Sequence, residues 1–145
     1  CGDLPPMKQK TLTIATESRG LHRIDHEIKG ACRELFASSP TPEGVLHIFI
    51  KHTSASLLIQ ENDDPTAKAD LENFLLRLAP DDQAWHTHLA EGSDDTTSHF
   101  KAALLPTSLT IPFADGQLLL GRWQGVYIAE HRHGRHQRHV VCTVL

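Results

Sequence analysis

The sequence predicts an α+β domain built on mostly antiparallel sheet with about three helices. Two observations carry this. Apolar residues alternate over several short stretches while two longer stretches repeat at helical spacing, and the later strands are joined by tight turn signals. A third bounds it: 145 residues, 39% hydrophobic and 22% charged, suffice for one core and not comfortably for two. Residues 8–145 are therefore expected to form a single domain. The opening Cys-Gly-Asp-Leu-Pro-Pro, with Met7 the sole methionine, reads as an extension over residues 1–7 foreign to the native fold. A lipid anchor on the leading cysteine is the weaker alternative.

Each element has a local reason. Leu12 and Ile14 alternate with threonines over Lys8–Ala15, which marks a first strand. Leu21, Ile24, Ile28, Cys32, Leu35 and Phe36 recur at helical spacing, so a helix is expected over 22–37, stopped by Pro40 and Pro42. Val45–His52 and Ser56–Gln60 read as strands around the bend HTSAS. Asp64-Pro65 starts a second helix, because the carboxylate caps free amides and proline has no donor to lose at the first position. Leu71, Phe74, Leu75 and Leu78 form its stripe, closed by Pro80. Residues 81–98 are polar and read as a long surface connection, with a short helix over Ser98–Leu105. Ser108–Phe113 and Gln117–Arg122 flank Ala-Asp-Gly as a hairpin, and Trp123–Arg132 with Arg138–Leu145 form another.

Composition excludes several function classes. With 14 basic and 18 acidic residues the net charge is −4, which gives no drive toward nucleic acid or anionic membrane. No apolar run approaches the roughly 20 residues that span a bilayer. Cys1, Cys32 and Cys142 are too few and too scattered for a disulfide framework or zinc knuckle, which fits a reduced, cytoplasmic protein. Eleven histidines are the unusual figure, and imidazole suits metal ligation and proton transfer near neutral pH.

Three constellations can carry chemistry. His52 is followed by the hydroxyls of Thr53, Ser54 and Ser56 and then by Asn62 and acids, offering a ligand and phosphate donors in one stretch; a strand-capping role is the competing reading. No Gly-x-Ser-x-Gly surrounds Ser54 or Ser56, so a serine nucleophile is disfavoured. Asp94 and Asp95 can hold magnesium against phosphate oxygens, and His99 beside a helix start suits an anion; a solvated loop competes. In Gly121–Gly125 the glycines around Trp123 and Gln124 allow a ligand to approach, and His131 and Arg132 follow. His133, His136 and His139 are read as a solvated tip. His86-Thr-His88 has metal-pair spacing but lies in irregular polar sequence, so it ranks low.

The segments HTSASLLIQENDDP, EGSDDTTSHFKAALL and GRWQGVYIAEHR, in this order, closely resemble the YjbQ family, also called the secondary thiamine-phosphate synthase family. The resemblance covers Lys8 to Leu145. It implies a β-sandwich-like core, a homotrimer and a histidine-rich site with weak thiamine-phosphate synthase activity, joining a pyrimidine pyrophosphate to a thiazole phosphate. Carried over by motif, its histidines fall on His52, His99 and His131, which are expected to converge as catalytic groups and metal ligands. Thr96-Thr97 stands where the family often has Met-Pro, Ala102-Ala103 replaces paired serines, and Pro106 replaces glycine. The implied reaction expels pyrophosphate, whose charge a divalent metal, Lys101, Arg132 or helix amides must neutralise. Magnesium on Asp94 and Asp95, or zinc on the three histidines, both satisfy this demand. The alternative is a metal- or phosphate-binding trimer without turnover.

Overall fold

The computed structural model describes residues 8–38 and 41–145, so the expectations for the extension 1–7 and for Pro40 as a helix stop lie outside the described residues. Along the chain run β1 (Gln9–Thr16), β2 (Gly20–Arg23), α1 (Asp25–Ser38), β3 (Glu43–Ile50) and β4 (Ala55–Glu61). There follow α2 (Pro65–Leu78), α3 (Ser93–Leu104), β5 (Ser108–Ala114), β6 (Gln117–Leu118), β7 (Gln124–Glu130) and β8 (His136–Val144). Every strand pairing is antiparallel. One sheet has the order β1-β8-β3-β5-β6 and the other β2-β7-β4.

Strand alternation explains how the two sheets meet. Leu46, Ile48 and Ile50 of β3, Val140 and Cys142 of β8, Leu57 of β4 and Val126 and Ile128 of β7 share one buried cluster, so both sheets turn an apolar face inward. Helix α1 adds Ile28, Ala31, Cys32 and Leu35 to it. On the small sheet's outer face, Leu21, Leu58, Tyr127 and Ala129 form a second cluster, closed by Leu75 of α2. The expected sandwich-like α+β fold is the one observed. None of the described helices is long and apolar enough to cross a membrane.

Helix α2 begins as expected: Asp64 Oδ1 accepts from the Thr66 amide at 2.8 Å, with Pro65 first in the helix. Asp115 and Gly116 turn the β5–β6 hairpin with φ of 51° and 76°, the pair of positive values a two-residue hairpin favours. The second strand of that hairpin is only two residues long. Pro112 accepts from the Leu119 amide at 2.9 Å but has no N–H to return, and the ladder ends.

Three expectations are corrected. Residues 20–23 are strand β2, paired with Tyr127–Glu130, and the helix starts at Asp25. Leu21 and Ile24 belong to opposite clusters, so their helical spacing is coincidental. β7 and β8 are not a hairpin, because they belong to different sheets and residues 131–135 cross between them. Helix α3 starts at Ser93 rather than Ser98, which places both aspartates in its first turn.

Gly44 marks a close approach in β3. A Cβ there would lie 2.5 Å from the Leu145 carbonyl oxygen and 2.9 Å from the Phe113 ring. Gly44→Ala is expected to destabilise the fold by about 1–3 kcal/mol through overpacking, read by urea denaturation. An unchanged midpoint would show that the C-terminal segment yields freely.

Candidate functional site

The start of α3 at Ser93 sorts its side chains onto two faces. Asp95, His99, Ala102 and Ala103 fall on one side. Asp94, Thr97, Ser98 and Lys101 fall nearly opposite.

On the first face Asp95 and His99, four residues apart, meet His88 from the segment before the helix. Asp95 Oδ2 lies 2.6 Å from His88 Nε2 and 3.2 Å from His99 Nε2. His99 Nδ1 is 2.9 Å from the Thr53 carbonyl oxygen; a carbonyl only accepts, so Nδ1 carries the proton and donates. With Nδ1 committed to Thr53, Nε2 is the ring nitrogen turned toward Asp95. Burial alone would raise the Asp95 carboxyl, but the His88 hydrogen bond and the charges of His99 and Arg132 outweigh it and hold it below its ordinary range. His88, Asp95 and His99 each offer a ligand atom within 4.8 Å of the others, the one such group of histidine, cysteine and carboxylate side chains found among the described residues. Two imidazoles and a carboxylate suit zinc or a similar transition metal better than magnesium, which favours oxygen ligands. The backbone acceptor behind His99 is the outer-shell partner that metal-binding histidines use.

Beside this group lies a cavity of about 920 Å³, lined among others by His52, Thr53, Ser54, His99, Ala102 and Ala103. His52 therefore stands near His99, but its Nε2 accepts from the His139 amide at 2.8 Å and its ring stacks on His139. It ties the end of β3 to β8, as the strand-capping reading holds. Burial, and next the Arg138 charge, lower its pKa.

His131 lies elsewhere. It is 2% exposed, with Nε2 2.9 Å from the Ser56 hydroxyl, and it lines a second cavity of about 440 Å³ together with Lys101 and Arg19. Burial, then the nearby Lys101 charge, drive its pKa down to about 3. The expected convergence of His52, His99 and His131 is thus not seen within one chain: two share a cavity and the third is neutral in another. Lys101 is 1% exposed, and burial lowers it to about 8 despite Asp81 and Asp94.

The aspartate pair also divides. Asp94 accepts from the His133 amide at 2.8 Å and lies 3.4 Å from Arg132 Nε, whereas Asp95 faces the two imidazoles. Asp94 turns to the His133 amide and Asp95 to the imidazoles, with Arg132 beside both, which leaves the pair poorly placed to chelate one magnesium ion. Arg132 is anchored by the Glu91 carbonyl at 2.6 Å and lies 3.6 Å from Asp95, so it braces the helix start from outside. Asn62 and Gln124 hold the turn before β7: Asn62 donates to the Arg122 and Gln124 carbonyls, and Gln124 accepts from the Gly121 amide. Trp123 is 52% exposed beneath the Arg122 guanidinium. These three stand outside both cavities.

His88 and Arg19 are what the sequence reading missed or ranked low. His86 and His88 diverge, since His86 is buried against Trp85 and Phe100 while His88 reaches Asp95. The i,i+4 pair Asp95 and His99 was the available signal, but it requires the helix to begin before residue 95.

Comparison with known proteins agrees with fold and motifs. The YjbQ protein of Salmonella typhimurium is 41% identical over 136 residues, covering 94% of this chain and 96% of its own. UPF0047 protein sll1880 of Synechocystis is 42% identical over the same length, covering 94% and 90%. The crystal structure of the conserved hypothetical protein TT1486 from Thermus thermophilus superposes with a TM-score of 0.81 at 32% identity, covering 94% of this chain and 99% of that one. With residues 10–145 matching the pattern described as UPF0047 protein YjbQ-like, the chain belongs to the YjbQ family.

Proposed function

We propose that this protein is a low-turnover transferase of the thiamine-phosphate synthase type, a cytoplasmic homotrimer that moves a pyrimidinylmethyl group from its pyrophosphate to a thiazole phosphate. The observation behind the proposal is the meeting of His88, Asp95 and His99 beside an open cavity of about 920 Å³. Transfer breaks the bond from the methylene carbon to a pyrophosphate oxygen and forms one from that carbon to the thiazole ring nitrogen, so negative charge collects on the departing pyrophosphate. A zinc-class ion held by His88, Asp95 and His99 would supply the counter-charge. The chain's own groups do the rest. Thr53 fixes the His99 ring through its carbonyl, Lys51 and the hydroxyl residues Thr53 and Ser54 line the space a phosphate would enter, and Ala102 and Ala103 form an apolar wall. Where the family often has paired serines this chain has these two methyl groups, so its phosphate contacts come from the β3–β4 bend. A trimer would cover the sheet edges that β1, β2, β4 and β6 leave open.

A second reading, a metal- or phosphate-binding trimer without turnover, draws support from exposure. The His88 and His99 side chains are 47% and 38% exposed, a wetter setting than group transfer favours. Incubating purified protein with both thiamine precursors and either zinc or magnesium separates the two. Product that disappears together with zinc binding in His88→Ala supports the transferase, and zinc binding without product supports the second reading. Zinc bound equally well by His88→Ala would remove the metal assignment.

A further inference from the structure

We propose that the cavity on the inner face of α3 is a second ligand site, which takes a small carboxylate with an apolar body. The proposal is independent of the transferase reading. The cavity, about 440 Å³, is divided by chemistry. Leu21, Leu75, Leu76 and Ala129 form an apolar side, and Lys101 and Arg19 stand on the other. Such a volume, mostly apolar with a few polar groups, is what small-molecule sites offer.

The cationic side is incomplete as it stands. Lys101 is among the largest fully buried side chains of the protein, yet its ammonium forms no hydrogen bond or ion pair among the described residues. Arg19 pairs through both terminal nitrogens with Asp81, at 2.8 and 3.0 Å, while its Nε is buried with no partner. Buried donors are nearly always satisfied, because an unpaired one loses its hydration and gains nothing in return.

The charges around the cavity select the ligand's head. Arg19 is balanced by Asp81, Arg138 by Glu130, and Glu72 by Lys68. His131 is neutral and occupied with Ser56. Among the described residues around the cavity, one positive charge, that of Lys101, remains without a carboxylate within ion-pair distance, and a monoanion neutralises it where a phosphate dianion would overshoot. A carboxylate also has two oxygens, one for the ammonium and one for Arg19 Nε. Its apolar tail would lie against Leu75 and Leu76, beside the partly exposed Leu76 side chain at the rim.

The site lies across α3 from His99, so the two cavities can be tested separately. Full-length protein with labelled leucine methyl groups would be titrated by NMR with hexanoate, hexanol and inorganic phosphate. Hexanoate is expected to shift Leu21, Leu75 and Leu76 saturably and to bind at least tenfold more tightly than hexanol. Lys101→Met, which keeps length and removes charge, is expected to erase that preference, whereas His99→Ala keeps it. The hexanoate-to-hexanol ratio in the unaltered protein needs no variant and stands even if Lys101→Met does not fold. Equal affinities for hexanoate and hexanol, no shift at the three leucines, or undiminished hexanoate binding by a folded Lys101→Met would overturn the proposal. Inorganic phosphate displacing hexanoate at lower concentration would overturn the choice of carboxylate.

Discussion

Replacing Arg138 by Met is expected to cost about 3–5 kcal/mol of stability, the range for removing one partner of a buried ion pair. The Glu130 and Arg138 side chains are 0% and 6% exposed. Arg138 Nε and Nη2 reach the two Glu130 oxygens at 2.8 and 2.5 Å, and Thr16 and the Arg132 amide supply two further donors. Glu130 belongs to the small sheet, and Arg138 and Thr16 to the large one, so the pair joins the two layers. A domain with roughly 5–15 kcal/mol to lose would be left marginal. The double variant Glu130→Gln, Arg138→Met removes both charges and should recover most of the loss in urea denaturation. A single-variant loss below about 1 kcal/mol would mean that water reaches the carboxylate.

The pH response of that pair has a definite sign. Burial alone would raise Glu130, but Arg138, Thr16 and Arg132 outweigh it and hold it below its ordinary range. With the folded value below the unfolded one, the stabilisation is present above the unfolded carboxylate value and is lost as pH falls through the folded one. Arg138→Met removes the strongest of the groups that hold Glu130 down, so the loss of stability in acid should shrink at this position.

His131 should produce the second large effect, in a higher pH window. Its folded value is about 3 against 6.5 unfolded, so below pH 6.5 the unfolded chain takes up a proton that the folded chain refuses. Stability contributed by His131 is complete above 6.5 and falls by about 1.4 kcal/mol per pH unit below it, or about 2 kcal/mol by pH 5. Urea titrations at pH 7, 6 and 5 of the natural protein and His131→Asn isolate this part as a difference in slope. Parallel slopes, or an imidazole NMR signal of His131 that titrates near 6, would sink the assignment of a neutral, buried ring.

How far the sequence revealed the site depended on whether the signal was local. The start of α2 was legible because Asp64 and Pro65 settle it between themselves. The start of α3 is not, because Asp94 through Ser98 are polar and predict a surface segment, whereas all five are buried. Their burial is satisfied from within. The Ser98 hydroxyl donates to the Asp94 carbonyl, Thr97 to Asp81, and Asp94 accepts from the His133 amide. Apolar periodicity cannot register a helix buried by hydrogen bonds. Asp95 and His99 stand in one motif but are assigned to different ligand sets, magnesium on the aspartates and zinc on three histidines, and His88 joins them only through the path of a connection whose sequence carries no periodic signal.

The placement of β8 between β1 and β3 bears on how the molecule is made. β1 pairs with β8 from Gln9↔Thr143 to Thr16↔His136, and β3 meets β8 from Leu46↔Val144 to Ile50↔Val140. A growing chain therefore carries β1 and β3 with no strand between them until residues 136–144 have left the ribosome. Only then can the larger layer close, by β1–β8 contacts more than a hundred residues apart in sequence and β3–β8 contacts of ninety or more. Such distant pairing slows folding, since loop closure must precede any gain from the contact. During that interval β1 and β3 offer any other nascent chain the two backbone edges that β8 fills, and a polypeptide released before β8 would keep both and tend to aggregate.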